Sequence, residues 1–457
     1  MNILILGAGQ VGTALASYLS KDKENDITIV DIDEAKLQNI EQRLDVKTVN
    51  GHATYPEILE KAGIQRMDMV IAVTFSDENN MIACQIAHTL YKVNKKIARI
   101  RAIEYLKRAE LFSSSAIPID FIISPEILIT KYIHKIVDNP GALQVLSFEN
   151  DLVQLVTVRA YENTNVVGHP IKDIQKYLPH TQMRIMSLFR DGKAIPAYGD
   201  TVIEDGDDVY FITKKEDTKE AISAFRRIDK PYKNIMIAGG GQIGYNLAKE
   251  LERNHRVTII DLNKDRVRNI SAKLSNTTLV LNGNATDERL LLAEGVENFD
   301  LFLSLTESDE TNVVASILAK KLGVRRTISL LKRNIYVDLS RKSGDIDMVI
   351  SPDQITAGRI LAQIRKGDTM ALYSLRQGGS EAIEIIVHGD ENNSLVVGKA
   401  IKDIDFPDGV AMGCIIRDKK VIMASSYQKI HSNDHLIMIL TDIDKIHEVE
   451  NLFKIQE

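Results

Sequence analysis

Residues 2–7 form an uncharged run that ends at a glycine, residues 10–20 carry helical spacing, and residues 27–32 form a second apolar run that reaches an acid. Residues 34–43 follow as a helix, on the spacing of Leu37, Ile40 and Leu44. This succession predicts a β–α–β unit. Strand-like stretches at Lys47–Asn50, Met69–Thr74, Ile97–Arg101 and Phe121–Ser124 alternate with helical segments, which implies a parallel sheet covered on both faces. Ser124, Pro125 and Glu126 then open an amphipathic helix, with the serine expected as cap and the proline at the first position. From residue 141 the texture changes to short alternating runs, Leu152–Val158, Met183–Leu188 and Asp208–Thr213, broken by turns such as Arg190–Pro196. That texture predicts a small β-rich α+β domain.

The whole pattern then recurs. Ile3-Leu4-Ile5-Leu6-Gly7-Ala8-Gly9-Gln10-Val11-Gly12 reappears as Ile235-Met236-Ile237-Ala238-Gly239-Gly240-Gly241-Gln242-Ile243-Gly244. Asp31 answers to Asp261, Asn50–Thr54 to Asn282–Thr286, Asn80 to Asn312, and Gly168–Ile174 to Gly398–Ile404. Ser124-Pro125-Glu126 is repeated as Ser351-Pro352-Asp353, and Pro231-Tyr232-Lys233 marks the seam between the halves. So constant a register is that of a duplication. The expected architecture is α/β: two tandem repeats, each a Rossmann-like doubly wound parallel sheet followed by a small α+β domain. The boundaries fall at residues 1–140, 141–230, 231–370 and 371–457.

A chain of 457 residues has room for these four units. Its 44% hydrophobic and 26% charged content is that of a globular protein, and no uncharged apolar run is long enough to span a bilayer. Met1 leads straight into a strand and a glycine turn, so no secretory signal is expected. Two cysteines, Cys84 and Cys414, make neither a disulfide framework nor a metal site, which points to a reducing compartment. Cys84 lies in the apolar helical stretch Met81–Tyr91 and reads as a small buried residue. A net charge of −6 without a basic tract argues against nucleic acid and against a polybasic membrane anchor.

Each Gly-x-Gly-x-x-Gly follows an apolar strand, opens a helix and precedes an acid at the end of the next strand, the context of a dinucleotide fold. Gly7 and Gly239 would permit the tight turn, Gly9 and Gly241 the approach of a pyrophosphate, and Gly12 and Gly244 close packing of helix on sheet. Ala8, Gln10 and Val11, with Gly240, Gln242 and Ile243, complete the two loops, whose phosphates would lie on the helix N-terminus. Asp31 and Asp261 stand where a carboxylate accepts hydrogen bonds from ribose hydroxyls and repels a 2′-phosphate, favouring NAD over NADP without separating NAD from ATP or ADP. The competing readings are a Rossmann turn kept for packing and a strand-end aspartate that caps the next helix.

Further positions lie at the carboxyl ends of the strands, where ligands bind in this fold. They are His52 and Ala53, Asn284 and Ala285 after the third strands, and Thr74, Phe75 and Thr306 at the fourth. Ser76, Asp77, Ser308 and Asp309 read as helix caps. His52 has no second ligand spaced for a metal. Arg99 and Arg101 share one face of the fifth strand, and an arginine fork there could grip phosphate. The aligned Thr327–Lys332 keeps only a lysine, so the halves are expected to differ in nucleotide affinity or choice.

A dehydrogenase needs an acid or base and a substrate clamp above the nicotinamide, yet the companion domains are small and no His-Glu-x-x-His, Gly-x-Ser-x-Gly, Cys-x-x-Cys or P-loop motif occurs. The expectation is therefore a nucleotide sensor. An NAD-dependent oxidoreductase on a small substrate is the alternative, and a scaffold with empty pockets is a third reading.

The chain resembles the tandem RCK (KTN) family of Trk-system potassium uptake regulatory subunits. The resemblance runs essentially end to end and rests on Gly7–Gly12, Asp31, Ala72–Gln85, Ile97–Arg101, Asn139–Val145, Lys230–Lys233 and Gly239–Gly244. It implies N-terminal lobes that bind NAD(H) or ATP/ADP, and small lobes of the RCK C-terminal type. It further implies several copies, read as a homotetramer of tandem-repeat chains, in a ring beneath a potassium-translocating membrane subunit of the Trk type. The protein would be cytoplasmic, associated with the inner face of the cell membrane through that partner, and not an enzyme. The binding positions that carry over are Gly7 to Val11, Asp31, Thr74, Phe75 and Arg99, then Gly239 to Ile243 and Asp261. Two departures stand out. His52 and Asn284 replace an aspartate common in relatives, and the string Gly199–Asp207 of the first small lobe shrinks to Ser432-Asn433-Asp434 in the second.

Overall fold

The computed structural model describes all residues except 21–23, 163, 227–229, 365–368, 376–379 and 456–457. The first half begins with β1 (Asn2–Leu6), α1 (Gln10–Leu19), β2 (Asp26–Asp31), α2 (Glu34–Glu41), β3 (Lys47–Asn50) and α3 (Pro56–Lys61). It continues with β4 (Met69–Ala72), α4 (Asp77–Thr89), β5 (Lys95–Arg99), α5 (Ile103–Leu106), β6 (Phe121–Ile123) and α6 (Pro125–Asp138). The strands form one parallel sheet in the order β3-β2-β1-β4-β5-β6. β1 and β4 are buried along nearly their whole length, as a sheet covered on both faces requires. The order reverses between β1 and β4, which places the crevice for a ligand at the carboxyl ends of those two strands.

The small lobe that follows has β7 (Ala142–Phe148), β8 (Val153–Arg159), α7 (Ile174–Tyr177), β9 (Met183–Arg190), β10 (Lys193–Pro196), β11 (Asp208–Lys214) and α8 (Thr218–Phe225). Its antiparallel sheet runs β10-β9-β11-β8-β7. The second half repeats the plan with β12 (Asn234–Ala238), α9 (Gln242–Leu251), β13 (Arg256–Asp261), α10 (Lys264–Ser271), β14 (Leu279–Asn282) and α11 (Glu288–Ala293). Then come β15 (Leu301–Ser304), α12 (Asp309–Lys321), β16 (Arg326–Leu330), α13 (Asn334–Ser343), β17 (Met348–Ile350) and α14 (Pro352–Ile364). Its last lobe has β18 (Thr369–Ser374), β19 (Glu381–Ile386), β20 (Val410–Arg417), β21 (Lys420–Met423), β22 (His435–Leu440) and α15 (Ile446–Leu452). The sheet orders, β14-β13-β12-β15-β16-β17 and β18-β19-β22-β20-β21, reproduce those of the first half. Among the described residues no helix is long and apolar enough to cross a membrane.

The halves are not side by side; they exchange their exit helices. Ile129, Ile133, Ile136 and Val137 of α6 share a core with Leu247, Ala248 and Leu251 of α9 in the other half. Ala357, Ile360, Leu361 and Ile364 of α14 likewise pack with Val11, Leu15 and Leu19 of α1. Burying each leucine or isoleucine contributes about 1.5–3 kcal/mol, so two such interfaces bind the halves tightly. The two small sheets also pack on each other, with Leu146, Phe148 and Ile212 against Cys414, Ile437 and Ile439. Both cysteines are free and fully buried, and burial pushes the Cys84 thiol up to about 12. The serine caps expected at the two Ser-Pro-acid exits do not form. Ser124 takes the cap position of α6, but its hydroxyl makes no cap bond, and the hydroxyls of Ser124 and Ser351 are both buried without a hydrogen-bond partner. Proline already lacks the N–H at the first position, so one of the donors a cap would serve is absent.

Candidate functional site

Each glycine loop joins a buried strand to a buried helix face, and its three glycines are held for different reasons. Gly7 and Gly239 have φ of +112° and +107°, a conformation that L side chains rarely adopt, and donate to the Val30 and Ile260 carbonyls at 2.8 Å. A Cβ on Gly12 would lie 1.9 Å from the Gly7 carbonyl oxygen, and one on Gly244 would lie 2.0 Å from that of Gly239. Helix and loop therefore touch backbone to backbone at these positions. Gly9 and Gly241 differ. Their φ values of −72° and −64° suit any residue, and a Cβ on either meets nothing within 4 Å. Neither packing nor backbone conformation demands glycine there, and the space in front of each stays open at the N-terminus of α1 or α9.

The strand-end carboxylates close the other side of each loop. Asp31 accepts from the Ala8 N–H at 2.6 Å through Oδ2 and from the Asp33 N–H at 2.9 Å through Oδ1. Asp261 accepts from Gly240 at 2.7 Å and Asn263 at 2.8 Å in the same way. These bonds tie carboxylate to glycine loop, and Asp31 keeps part of its surface exposed. The α2 cap is Asp33, which accepts from the Lys36 N–H, and that of α10 is Asn263. In the second half Arg266 lies 3.0 Å from Asp261 Oδ2, and Asp261 is only 5% exposed. At the matching place in the first half, Lys36 is drawn instead to Asp33 at 3.4 Å. Asp33 carries a charge that Asn263 lacks, and the guanidinium of Arg266 reaches further than the ammonium of Lys36.

Asn80 and Asn312, fully buried, knit the far side. Asn80 accepts from the Thr74 N–H and hydroxyl at 2.9 and 2.7 Å and donates to the Arg99 carbonyl at 2.9 Å. Asn312 repeats this with Thr306 and the Leu330 carbonyl. They fix the ends of β4, β5, β15 and β16 beside the glycine loops. Phe75 stands 71% exposed at this rim. Ser76 and Ser308 cap their helices, but Asp77 and Asp309 do not. Both aspartates are buried and accept from the backbone N–H groups of Arg101 and Ala102, or of Lys332 and Arg333. Their task is to hold the loop after β5 or β16 against α4 or α12.

The remaining predicted residues are unevenly placed. Val11, Ala53 and Ala285 are buried, their side chains within the hydrophobic cores, so only their backbone could face a ligand. His52 Nδ1 meets Thr54 Oγ1 at 2.9 Å and its ring stacks on Tyr55. Asn284 accepts from the Thr286 N–H and hydroxyl. Gln10 is exposed and Ile243 half-buried on their helix N-termini. Arg101 donates to the Phe75 carbonyl, whereas Arg99 reaches Glu126 only at 3.5 Å and its Nε is buried without a partner. An arginine so loosely engaged can take a phosphate oxygen at little cost. The second half has Leu330 in its place.

The helix exchange brings the two pockets together. Gln242 of the second glycine loop donates to the Arg101 carbonyl at 2.8 Å. Asp353, at the start of α14, feels Arg99 from the first half together with Lys332 and Asp309 from the second. Burial raises its pKa to about 6, the two cations oppose the rise, and Asp309 adds to it. Arg266, Glu126, Asp353 and the reach of Gln242 were not legible as site features. Only the Ser-Pro-acid repeat hinted at the two carboxylates.

The fold is shared with solved structures. The GsuK RCK domain superposes with a TM-score of 0.62 at 18% identity, covering 99% of this chain and 94% of that one. The GsuK channel bound to NAD gives 0.61 at 16% identity, covering 99% and 78%. Two dinucleotide-type sheets, each with an open glycine loop and wired to an antiparallel lobe, define a tandem RCK-type protein. The TrkA-N domain model matches residues 3–125 and 235–352, and the TrkA-C domain model residues 155–226. The Trk system potassium uptake protein TrkA of Halomonas elongata is 45% identical over 455 residues, spanning 100% of this chain and 99% of that protein. That of Haemophilus influenzae is 41% identical, and a homolog from Archaeoglobus fulgidus 30%, each spanning 99% of this chain and at least 99% of its own length. The chain belongs to the TrkA family of Trk-system potassium uptake proteins.

Proposed function

We propose that this chain is the cytosolic nucleotide-binding regulatory subunit of a Trk-type potassium uptake system, organised as domains 1–140, 141–230, 231–370 and 371–457. The observation that carries the reading is the open space at Gly9 and Gly241, each facing a helix N-terminus beside Asp31 or Asp261. NAD(H), ATP or ADP fits that donor set. The loop N–H groups would take the phosphates, the carboxylates the ribose hydroxyls, and Arg99 a phosphate of the first ligand. GsuK, a protein of the same fold, has been solved bound to NAD.

No bond has to be made or broken. A nucleotide that binds one arrangement of the halves better than another shifts their equilibrium, and about 1–3 kcal/mol of coupling changes affinity about 5–150-fold. The pockets meet at Gln242 and Asp353, so occupancy of one alters the walls of the other. In a ring of four such chains the small change would be summed and passed to the gate of the membrane subunit.

Calorimetric titration with NADH, NAD, ATP and ADP, repeated on Asp31→Ala and Asp261→Ala, tests the reading. Each substitution is expected to remove one class of sites. Failure of every nucleotide to bind would leave a scaffold, and stoichiometric hydride transfer to a small substrate would make the protein an oxidoreductase.

A further inference from the structure

Outside both glycine loops, Glu149, Glu384 and His435 bring three ligand atoms within 4.8 Å of one another at the junction of the two small lobes. Glu149 comes from the turn after β7 in the first lobe. Glu384 and His435 come from β19 and β22 of the second, where Ile386 pairs with His435 and Glu384 with Ile437. Glu384 and His435 are thus diagonal neighbours on one face of that sheet. His435 Nδ1 lies 2.8 Å from Glu384 Oε1 and 3.3 Å from Glu149 Oε2.

Hydrogen bonding alone serves this arrangement poorly. One ring nitrogen carries at most one proton, yet it faces two carboxylates. Glu384 is 3% exposed, and burying a carboxylate is costly unless a cation accompanies it. Glu149 adds a second negative charge from the opposite lobe. Even a protonated imidazole leaves this trio one negative charge in excess.

We propose that Glu149, Glu384 and His435 form a divalent-metal site of the zinc class that staples the two small lobes together. One imidazole and two carboxylates are a borderline donor set, suited to Zn2+ rather than to Mg2+ or Ca2+, which prefer oxygen alone. Ligands about 2.1 Å from a tetrahedral zinc stand about 3.4 Å apart; His435 Nδ1 is 3.3 Å from Glu149 and 2.8 Å from Glu384, a pair that would open by about half an ångström around the ion, and three protein ligands leave one position for water. Because the ligands come from both lobes, the metal binds only when the lobes are docked and so stabilises that docking. The site draws on neither glycine loop.

The test uses the full-length chain, stripped with a chelator and titrated with Zn2+ against a chromophoric competitor without nucleotide. One site per chain is expected, weakened at least tenfold in Glu384→Gln and His435→Gln, with a Zn2+-dependent rise in Tm that both variants lose. Glu149 lies in a partly exposed turn, so Glu149→Gln still folds without metal, and its loss of charge beside Glu384 does not lower the metal-free Tm, while Zn2+ binding weakens. Glu149→Cys, which supplies a thiolate, restores it. Equal Zn2+ affinity in the parent and all variants would overturn the site, and so would absence of stoichiometric binding in the parent. Nucleotide titrations on the same samples separate that failure from a failure of the regulatory reading.

Discussion

The side-chain amide of Gln242 donates a 2.8 Å hydrogen bond to the main-chain carbonyl of Arg101, fastening the glycine loop of the second half to the exit of β5 in the first. The two residues are 141 positions apart. A ligand that bound the second loop through its phosphates, as proposed, would pull on the strand end that carries Arg99.

Gln242→Ala removes this link while leaving the backbone of the second glycine loop in place. An exposed hydrogen bond contributes about 0.5–1.5 kcal/mol, so the affinity of one pocket in the presence of ligand in the other should change by about 2–10-fold. Sequential calorimetric titrations measure it. Identical affinities in parent and variant would show that the pockets do not communicate through this contact.

The glycines separate into two classes. Gly12→Ala and Gly244→Ala place a Cβ about 2 Å from a carbonyl oxygen and should lower Tm sharply or prevent folding. Gly9→Ala and Gly241→Ala should fold with nearly unchanged Tm, yet lose nucleotide affinity by about 100-fold, because the methyl stands where a phosphate approaches. Full affinity in Gly9→Ala would contradict a ligand at that loop.

Arg266 competes for the carboxylate that the ribose would use. Arg266→Ala frees one lone pair of Asp261 while the Gly240 bond remains, so a nucleotide with free ribose hydroxyls should bind the second pocket about 2–10-fold more tightly. Weaker binding in the variant would instead make the arginine a ligand contact.

Asp353 sets a pH dependence with a definite sign. Its ordinary pKa of 3.8 rises to about 6 in the fold, so the folded chain holds the proton more tightly than the unfolded one. Below pH 4 both states are protonated and nothing is lost. Stability falls as pH rises from 4 to 6, and the loss is complete above 6. Asp353→Asn should therefore be more stable than the parent by about 1–3 kcal/mol at pH 7.5, with the difference vanishing near pH 4. Denaturant melts at the two pH values decide it, and a constant difference would mean that burial of the charge is not the cause.

Much of the molecule is legible one residue at a time. The helical and strand periods, the Gly-x-Gly-x-x-Gly loops, the strand-end aspartates and the repeat of all of them are local, because a turn at φ near +110° or a helix pressed on a loop selects glycine wherever it occurs. Cys84 as a buried small residue follows from its apolar neighbours in the same way. The caps at Ser76 and Ser308 were legible in the same way, but those at Ser124 and Ser351, each followed by proline, do not form, and Asp77 and Asp309 are held by a distant loop rather than by their own helices.

What the sequence by itself determined is therefore the kind of lobes and the glycine and aspartate groups at each loop, since steric and hydrogen-bonding rules acting within a few residues select those amino acids. Only the tertiary structure decided that α6 leaves its own half to bury Ile133 beside Leu247, that Gln242 meets Arg101, that Arg266 lies over Asp261, and that Glu149 joins Glu384 and His435. Those pairings depend on which hydrophobic faces find each other across the folded chain, and no local periodicity records the partner of a buried face.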